Sequence, residues 1–120
     1  MVSCTKKVST PGAANQSIFF QDANVTVENI SAVPTASKAV TVSFSTVFES
    51  NLSRIELMSS ATGNTFCTRE SVDVSGNSSI KKNYSFNDTN LKGSTMYYML
   101  RFKDNYGNWT YSNYLTIKVD

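Results

Sequence analysis

The chain has 120 residues, of which 40% are hydrophobic and 17% charged, and its formal net charge is +2. This length suits one domain with a single core, and no apolar run approaches the roughly 18 residues of a membrane span. The small positive charge forms no basic stripe, which argues against nucleic acid as a partner.

The first 17 residues, MVSCTKKVSTPGAANQS, are small and polar, with Pro11-Gly12 as a breaker. They show no periodicity, so residues 1–17 are predicted to form a flexible arm rather than a packed element. An apolar segment of Ile18, Phe19 and Phe20 follows. We expect it to dock the arm on the domain or on a neighbouring molecule.

Within the arm, Val2-Ser3-Cys4 resembles the end of a bacterial lipoprotein signal, in which a lipidated cysteine follows small residues. No charged or apolar region stands before it. Either a signal has been removed, or Met1 is a native start and Cys4 is unlipidated; we favour the second. A bridge between Cys4 and Cys67 is one alternative, but Cys4 lies in a polar tail, which favours two free thiols.

Residues 18–120 carry a β-pattern throughout, with no helical periodicity. In residues 39–48, Val40, Val42 and Phe44 alternate with Thr and Ser, which indicates a strand with one buried face. Seven such segments recur about every dozen residues and predict a seven-stranded antiparallel sandwich. They are residues 23–33, 39–48, 52–60, 64–74, 79–88, 95–104 and 111–119.

The last third, LKGSTMYYMLRFKDNYGNWTYSNYLTIKV, resembles the final two strands of fibronectin type III and related immunoglobulin-like domains of bacteria and their phages. The matching positions are Leu91 and Gly93 at a corner, Asp104, Gly107 and Asn108 in a turn, and Leu115, Ile117 and Val119 in the last strand. The resemblance implies an immunoglobulin-like sandwich. It also implies a corner tyrosine whose hydroxyl bonds a loop backbone group. Both Tyr97 and Tyr98 are candidates, and strand parity favours Tyr98.

Catalytic groups are scarce in this sequence. Histidine is absent, which removes the commonest proton shuttle and metal ligand. Cys67 has no histidine to activate it, and the carboxylates are scattered without a calcium-loop motif. The sequence therefore predicts a protein that is not an enzyme and has no metal or cofactor.

The most distinctive candidates for ligand contact are aromatic and lie near the C-terminus. Exposed aromatic side chains on a sandwich can stack on sugars or anchor a protein partner. In the alternative that we favour, the tryptophan covers the end of the core and the tyrosines cover an edge. The residues are Tyr106, Trp109, Tyr111 and Tyr114, and alternation with Leu115 predicts that Tyr114 faces outward.

Two functional hypotheses remain after catalysis is set aside. The favoured one is a decoration or auxiliary head protein on the virion surface of a tailed phage, bound by its arm to capsid or other assembly subunits. The predicted partner-binding residues are Val2, Lys6, Lys7, Val8, Ile18, Phe19 and Phe20. The alternative is a bacterial outer-membrane or periplasmic lipoprotein anchored at Cys4, with the aromatic residues binding host glycans or protein.

Overall fold

The computed structural model describes residues 4–6, 18–36, 39–89, 91 and 93–119, and within them it contains eight β-strands and no helix. Their pairings are antiparallel and connect them into one hydrogen-bonded sheet. The strands are β1 (Cys4–Lys6), β2 (Phe20–Gln21), β3 (Val25–Ala36), β4 (Ala39–Ser60), β5 (Thr65–Ser78), β6 (Lys82–Asp88), β7 (Thr95–Asp104) and β8 (Trp109–Lys118).

Strand β4 is the centre of the fold because its 22 residues pair with two groups of neighbouring strands. Its first part pairs with β3 and β6, and its second part, from Leu52, pairs with β5 and β7. The bend between the parts lies at Asn51, whose φ of 53° is a conformation that asparagine tolerates well. Counting the two parts separately gives nine strand segments, so the predicted number of seven is wrong.

The two extra strands are short and lie outside the predicted segments. β2 has two residues and β1 has three, which is too few for an alternating pattern to be detected in the sequence. β2 pairs with β3, and β1 pairs with the edge of β5 in a register that sets Cys4 opposite Cys67.

One hydrophobic core is shared by the two groups of strands. We call β2, β3, the first part of β4 and β6 the β3 half; β1, β5, the second part of β4, β7 and β8 form the β7 half. Val40, Val42 and Phe44 of the β3 half are buried, as their alternation predicts, together with residues such as Leu57 and Leu100 of the β7 half. The Phe20 ring stacks on Phe102 with 5.8 Å between ring centroids, which adds a direct contact between the halves.

The inward position of Tyr98, which strand parity favours, is confirmed. Tyr98 is fully buried, and its hydroxyl donates to Asp88 Oδ2 at 2.9 Å, so the acceptor is a carboxylate and not the expected backbone group. Arg69 Nε lies 3.2 Å from Asp88 Oδ1 and supplies the opposite charge. Burial raises the pKa of Tyr98, and the negative charge of Asp88 raises it further, so the phenol stays neutral.

The cysteines differ from the sequence-based expectation. Cys4 and Cys67 form a disulfide with 3.9 Å between their Cα atoms, so the expectation of two free thiols is wrong. Directly opposed positions on adjacent antiparallel strands bring the side chains close enough to bond. The sequence shows no local sign of this contact because the partners are 63 residues apart.

The apolar segment after the arm belongs largely to the domain itself. Phe19 is only 3% exposed and lies in the core, as expected if this segment docks on the domain itself, and its predicted contact with a partner stays a prediction. Phe20 is half-buried against the same core, whereas Ile18 and Lys6 are exposed. Val2, Lys7 and Val8 lie outside the described residues, as does most of the arm, so the docking role of residues 1–17 stays a prediction.

Candidate functional site

A band of charged and aromatic side chains crosses the outer face of the β7 half. Because Leu100 and Phe102 face the core, the alternating residues Arg101 and Lys103 lie on the opposite face. The register with β8 sets Trp109 opposite Lys103 and places another aromatic residue, Tyr111, opposite Arg101. Cations and aromatic rings are therefore neighbours across two strands.

Arg101 and Trp109 form the closer of two cation–aromatic contacts in this band. The guanidinium carbon of Arg101 lies 4.0 Å from the centroid of the Trp109 ring, and Lys103 Nζ lies 5.7 Å from it. At these distances the negative face of the indole attracts both cations. The contact fixes the half-buried Trp109 on the sheet.

Glu56 of β4 holds Arg101 from the other side. Arg101 Nε donates to Glu56 Oε1 at 2.6 Å, and Thr68 Oγ1 donates to the same oxygen at 3.0 Å. Arg101 and Glu56 are 7% and 5% exposed, so this is a buried, charge-assisted hydrogen bond. Arg54 Nη1 lies 3.6 Å from Glu56 Oε2, and Arg54 Nε lies 3.3 Å from Asp73, which extends the charge ladder to β5.

The turn between β7 and β8 presents Tyr106 beside this band. Asp104 Oδ1 accepts hydrogen bonds from the backbone N–H of Tyr106 at 2.8 Å and of Asn108 at 2.9 Å, and Gly107 supplies a φ of 90°. These donors, led by the Asn108 amide, hold the pKa of Asp104 below its ordinary value. The ring of Tyr106 is 80% exposed at the tip of a turn that hydrogen bonds make rigid.

The four sequence-predicted aromatic residues have different surroundings. Tyr106 is exposed, Trp109 and Tyr111 are half-buried, and Trp109 packs against Arg101 instead of covering the end of the core. Tyr114 is only 9% exposed, so its predicted outward exposure is wrong. It does lie on the face opposite Leu115, but a second apolar cluster with Phe66, Met58 and Met99 buries it there.

We call Arg101, Lys103, Tyr106 and Trp109 the aromatic patch. Sequence reasoning identified two of these residues and missed Arg101 and Lys103. It also missed Glu56, which pairs with Arg101. These residues could have been identified as charged side chains inside strongly apolar strands, since a buried charge requires a partner.

Two kinds of feature are missing among the described residues, a metal-binding cluster and a membrane-spanning helix. There, no three cysteine or carboxylate side chains are close enough together to hold a metal ion. No helix among the described residues is long and apolar enough to span a membrane.

Comparisons with known proteins support the fold alone. No family model and no curated protein matches the chain. A crystal structure of a DUF3823 family protein from Bacteroides ovatus ATCC 8483 is similar, with a TM-score of 0.51 and 12% sequence identity. The match covers 80% of this chain and 54% of that protein, so the chain spans about half of its length. This likeness is compatible with an all-β sandwich.

Proposed function

We propose that the chain is an immunoglobulin-like sandwich of fibronectin type III type that acts as a non-enzymatic protein-binding module. The pairing order supports this fold, because β4 in its first part lies between β3 and β6 and in its second part between β5 and β7, with β8 beside β7. The shared core supports two packed layers. Fold alone does not indicate a role, so the functional proposal depends on the aromatic patch.

The observation that carries the proposal is the exposed Tyr106 in the turn that leads to Trp109, with two basic side chains against the Trp109 ring. Tryptophan, tyrosine and arginine dominate the binding energy of protein interfaces, above all where they are rigid before binding. The bond from Arg101 to Glu56 and the hydrogen-bonded turn provide that rigidity.

A protein partner fits the aromatic patch better than a glycan does. Stacking on a sugar requires an open aromatic face, and Arg101 occupies one face of the half-buried Trp109 ring at 4.0 Å from its centroid. The nearby Tyr106 ring is exposed, but it stands at the tip of a turn.

The proposed setting is a virion surface, with capsid or other assembly subunits as partners. The Cys4–Cys67 disulfide supports a location outside the reducing cytosol. The alternative of a lipoprotein anchored at Cys4 needs the same sulfur for its lipid, so a single molecule has one modification or the other.

Binding at the aromatic patch is tested by titrating purified capsid shells with the protein and measuring the affinity by co-sedimentation. Because Trp109 is the single tryptophan of the chain, its fluorescence shows in parallel whether binding occurs at this site. We expect Tyr106→Ala and Lys103→Ala each to weaken binding about tenfold. Val33→Ala, at a residue that is 51% exposed on β3, is the matched control. Wild-type affinity in both patch variants would contradict the proposal.

A further inference from the structure

A second candidate site lies at the bend of β4, next to the turn that carries Tyr106, since the Asn105 N–H donates to the Asn51 carbonyl at 2.8 Å. A groove of about 400 Å³ opens there between the bend and the end of β5. This volume lies within the range of small-molecule sites. Its lining residues are Phe48, Glu49, Ser50, Asn77, Ser78 and Ser79.

The walls of this groove are held in place before any ligand arrives. The backbone N–H of Asn51 donates to Asn77 Oδ1 at 2.9 Å, which ties the bend to the end of β5. On the other side, Ser50 N–H donates to the Asn24 carbonyl at 2.7 Å, and Asn24 Nδ2 donates to the Ser50 carbonyl at 2.9 Å. A groove that is already formed binds with a smaller entropy loss.

The groove offers no unpaired charge. Glu49 is only 2% exposed, and its Oε2 accepts hydrogen bonds from Tyr84 at 2.5 Å and from Thr46 at 2.7 Å. Lys82 Nζ lies 3.5 Å from Glu49 Oε1 and balances the remaining charge. A charged ligand would therefore find no free counter-charge among the lining residues, whereas a neutral one needs none.

Neutral hydrogen-bonding groups remain unused beside an exposed ring. In the described part of the chain, the hydroxyls of Ser50 and Ser79 and the side-chain N–H groups of Asn77 have no hydrogen-bond partner, although each residue lines the groove. The Phe48 ring at its edge is 40% exposed. An aromatic ring flanked by hydroxyl and amide groups suits a molecule with an apolar C–H face and a rim of hydroxyls.

From this combination we infer that the β4 groove binds a neutral saccharide, with Phe48 stacking on a sugar ring and Ser50, Asn77 and Ser79 bonding its hydroxyls. This site shares no lining residue with the aromatic patch and takes a different class of ligand. It also does not depend on the protein-binding function proposed above.

The test uses the isotope-labelled 120-residue chain and four neutral trisaccharide probes at millimolar concentration, namely maltotriose, cellotriose, mannotriose and N,N′,N″-triacetylchitotriose. We expect at least one to shift the Asn77 side-chain amide resonances in a saturable way. Phe48→Ala should weaken that binding about tenfold. Asn77→Asp should weaken it too, since it keeps the acceptor for Asn51 but loses both donors. Val33→Ala should bind as the wild type does.

Three results would overturn the inference. They are the absence of any saturable shift with all four probes, unchanged affinity in both Phe48→Ala and Asn77→Asp, and binding of sialyllactose in preference to the neutral probes. Trp109 fluorescence serves as the second readout, because a saccharide that acts at the aromatic patch would change it and would keep its affinity in Phe48→Ala.

Discussion

The Cys4–Cys67 disulfide should contribute a large share of the stability of this domain. The bond joins residues 63 apart, and closing a loop of that size restricts the unfolded chain by about 4 kcal/mol at room temperature. Domains of this size are commonly stable by only about 5–15 kcal/mol. We therefore expect the double variant Cys4→Ala, Cys67→Ala to lose about 2–4 kcal/mol.

Urea unfolding followed by Trp109 fluorescence measures this loss, because unfolding separates the indole from Arg101. Wild-type protein in reductant should unfold as the double variant does. Thr5→Ala is the control, since Thr5 of β1 lies opposite Phe66 of β5 and takes no part in the cross-link. It should cost less than about 1 kcal/mol and should respond to reductant as the wild type does.

A double variant within about 1 kcal/mol of the wild type would refute the reasoning. The intact mass of protein from its native source then identifies the reason. A lipid-modified Cys4 would mean that the sulfur is used for membrane anchoring, and an unmodified reduced chain would mean that the bridge does not form in the cell.

Three further predictions concern the buried charge, a buried phenol and two glycines. Arg101→Met alone should lower the free energy of unfolding by about 3 kcal/mol because Glu56 loses its closest partner, whereas adding Glu56→Leu should recover part of that loss in urea unfolding. Greater loss in the double variant would contradict this. The raised pKa of Tyr98 means that only the unfolded chain ionises above the ordinary value of 10.0, so stability should fall as pH rises past 10.0. Tyr98→Phe should reduce that slope in denaturation series between about pH 8 and 11, and an unchanged slope would speak against it. Gly63→Ala should cost about 2 kcal/mol and Gly107→Ala about 1 kcal/mol, since both have positive φ but only the former meets a tyrosine ring at 3.2 Å. Equal thermal midpoints for the two glycine variants would contradict the role of that ring.

Alternation along single strands predicted much of the fold. Val40, Val42 and Phe44 lie in the core because every second residue of a strand shares a face. The same rule placed Tyr98 inside and set Tyr114 on the face opposite Leu115. It failed for the exposure of Tyr114, because a strand pattern identifies a face but does not show what packs on it.

Contacts between distant strands could not be derived in this way. β1 pairs with β5, and the cysteines that join these strands are 63 residues apart in the sequence. The three residues of β1 are too few to show a periodic pattern. The contact of Arg101 with Trp109 depends on a shift in register between Met99 and Arg101, which interrupts the pairing of β7 with β8. Local sequence does not fix such an irregularity, so the aromatic patch was visible only in part.

The continuous course of β4 has a consequence for hydrogen exchange and for cooperativity. Its residues pair mainly with β3 and β6 before Asn51 and with β5 and β7 from Leu52 onward. If one half opened alone, it would also expose β4, the strand with which the other half pairs. We therefore expect amide protons on both sides of the bend to exchange at one common slow rate, through unfolding of the whole domain. Circular permutation with new ends at this bend would divide that shared strand and give each half its own exchange rate.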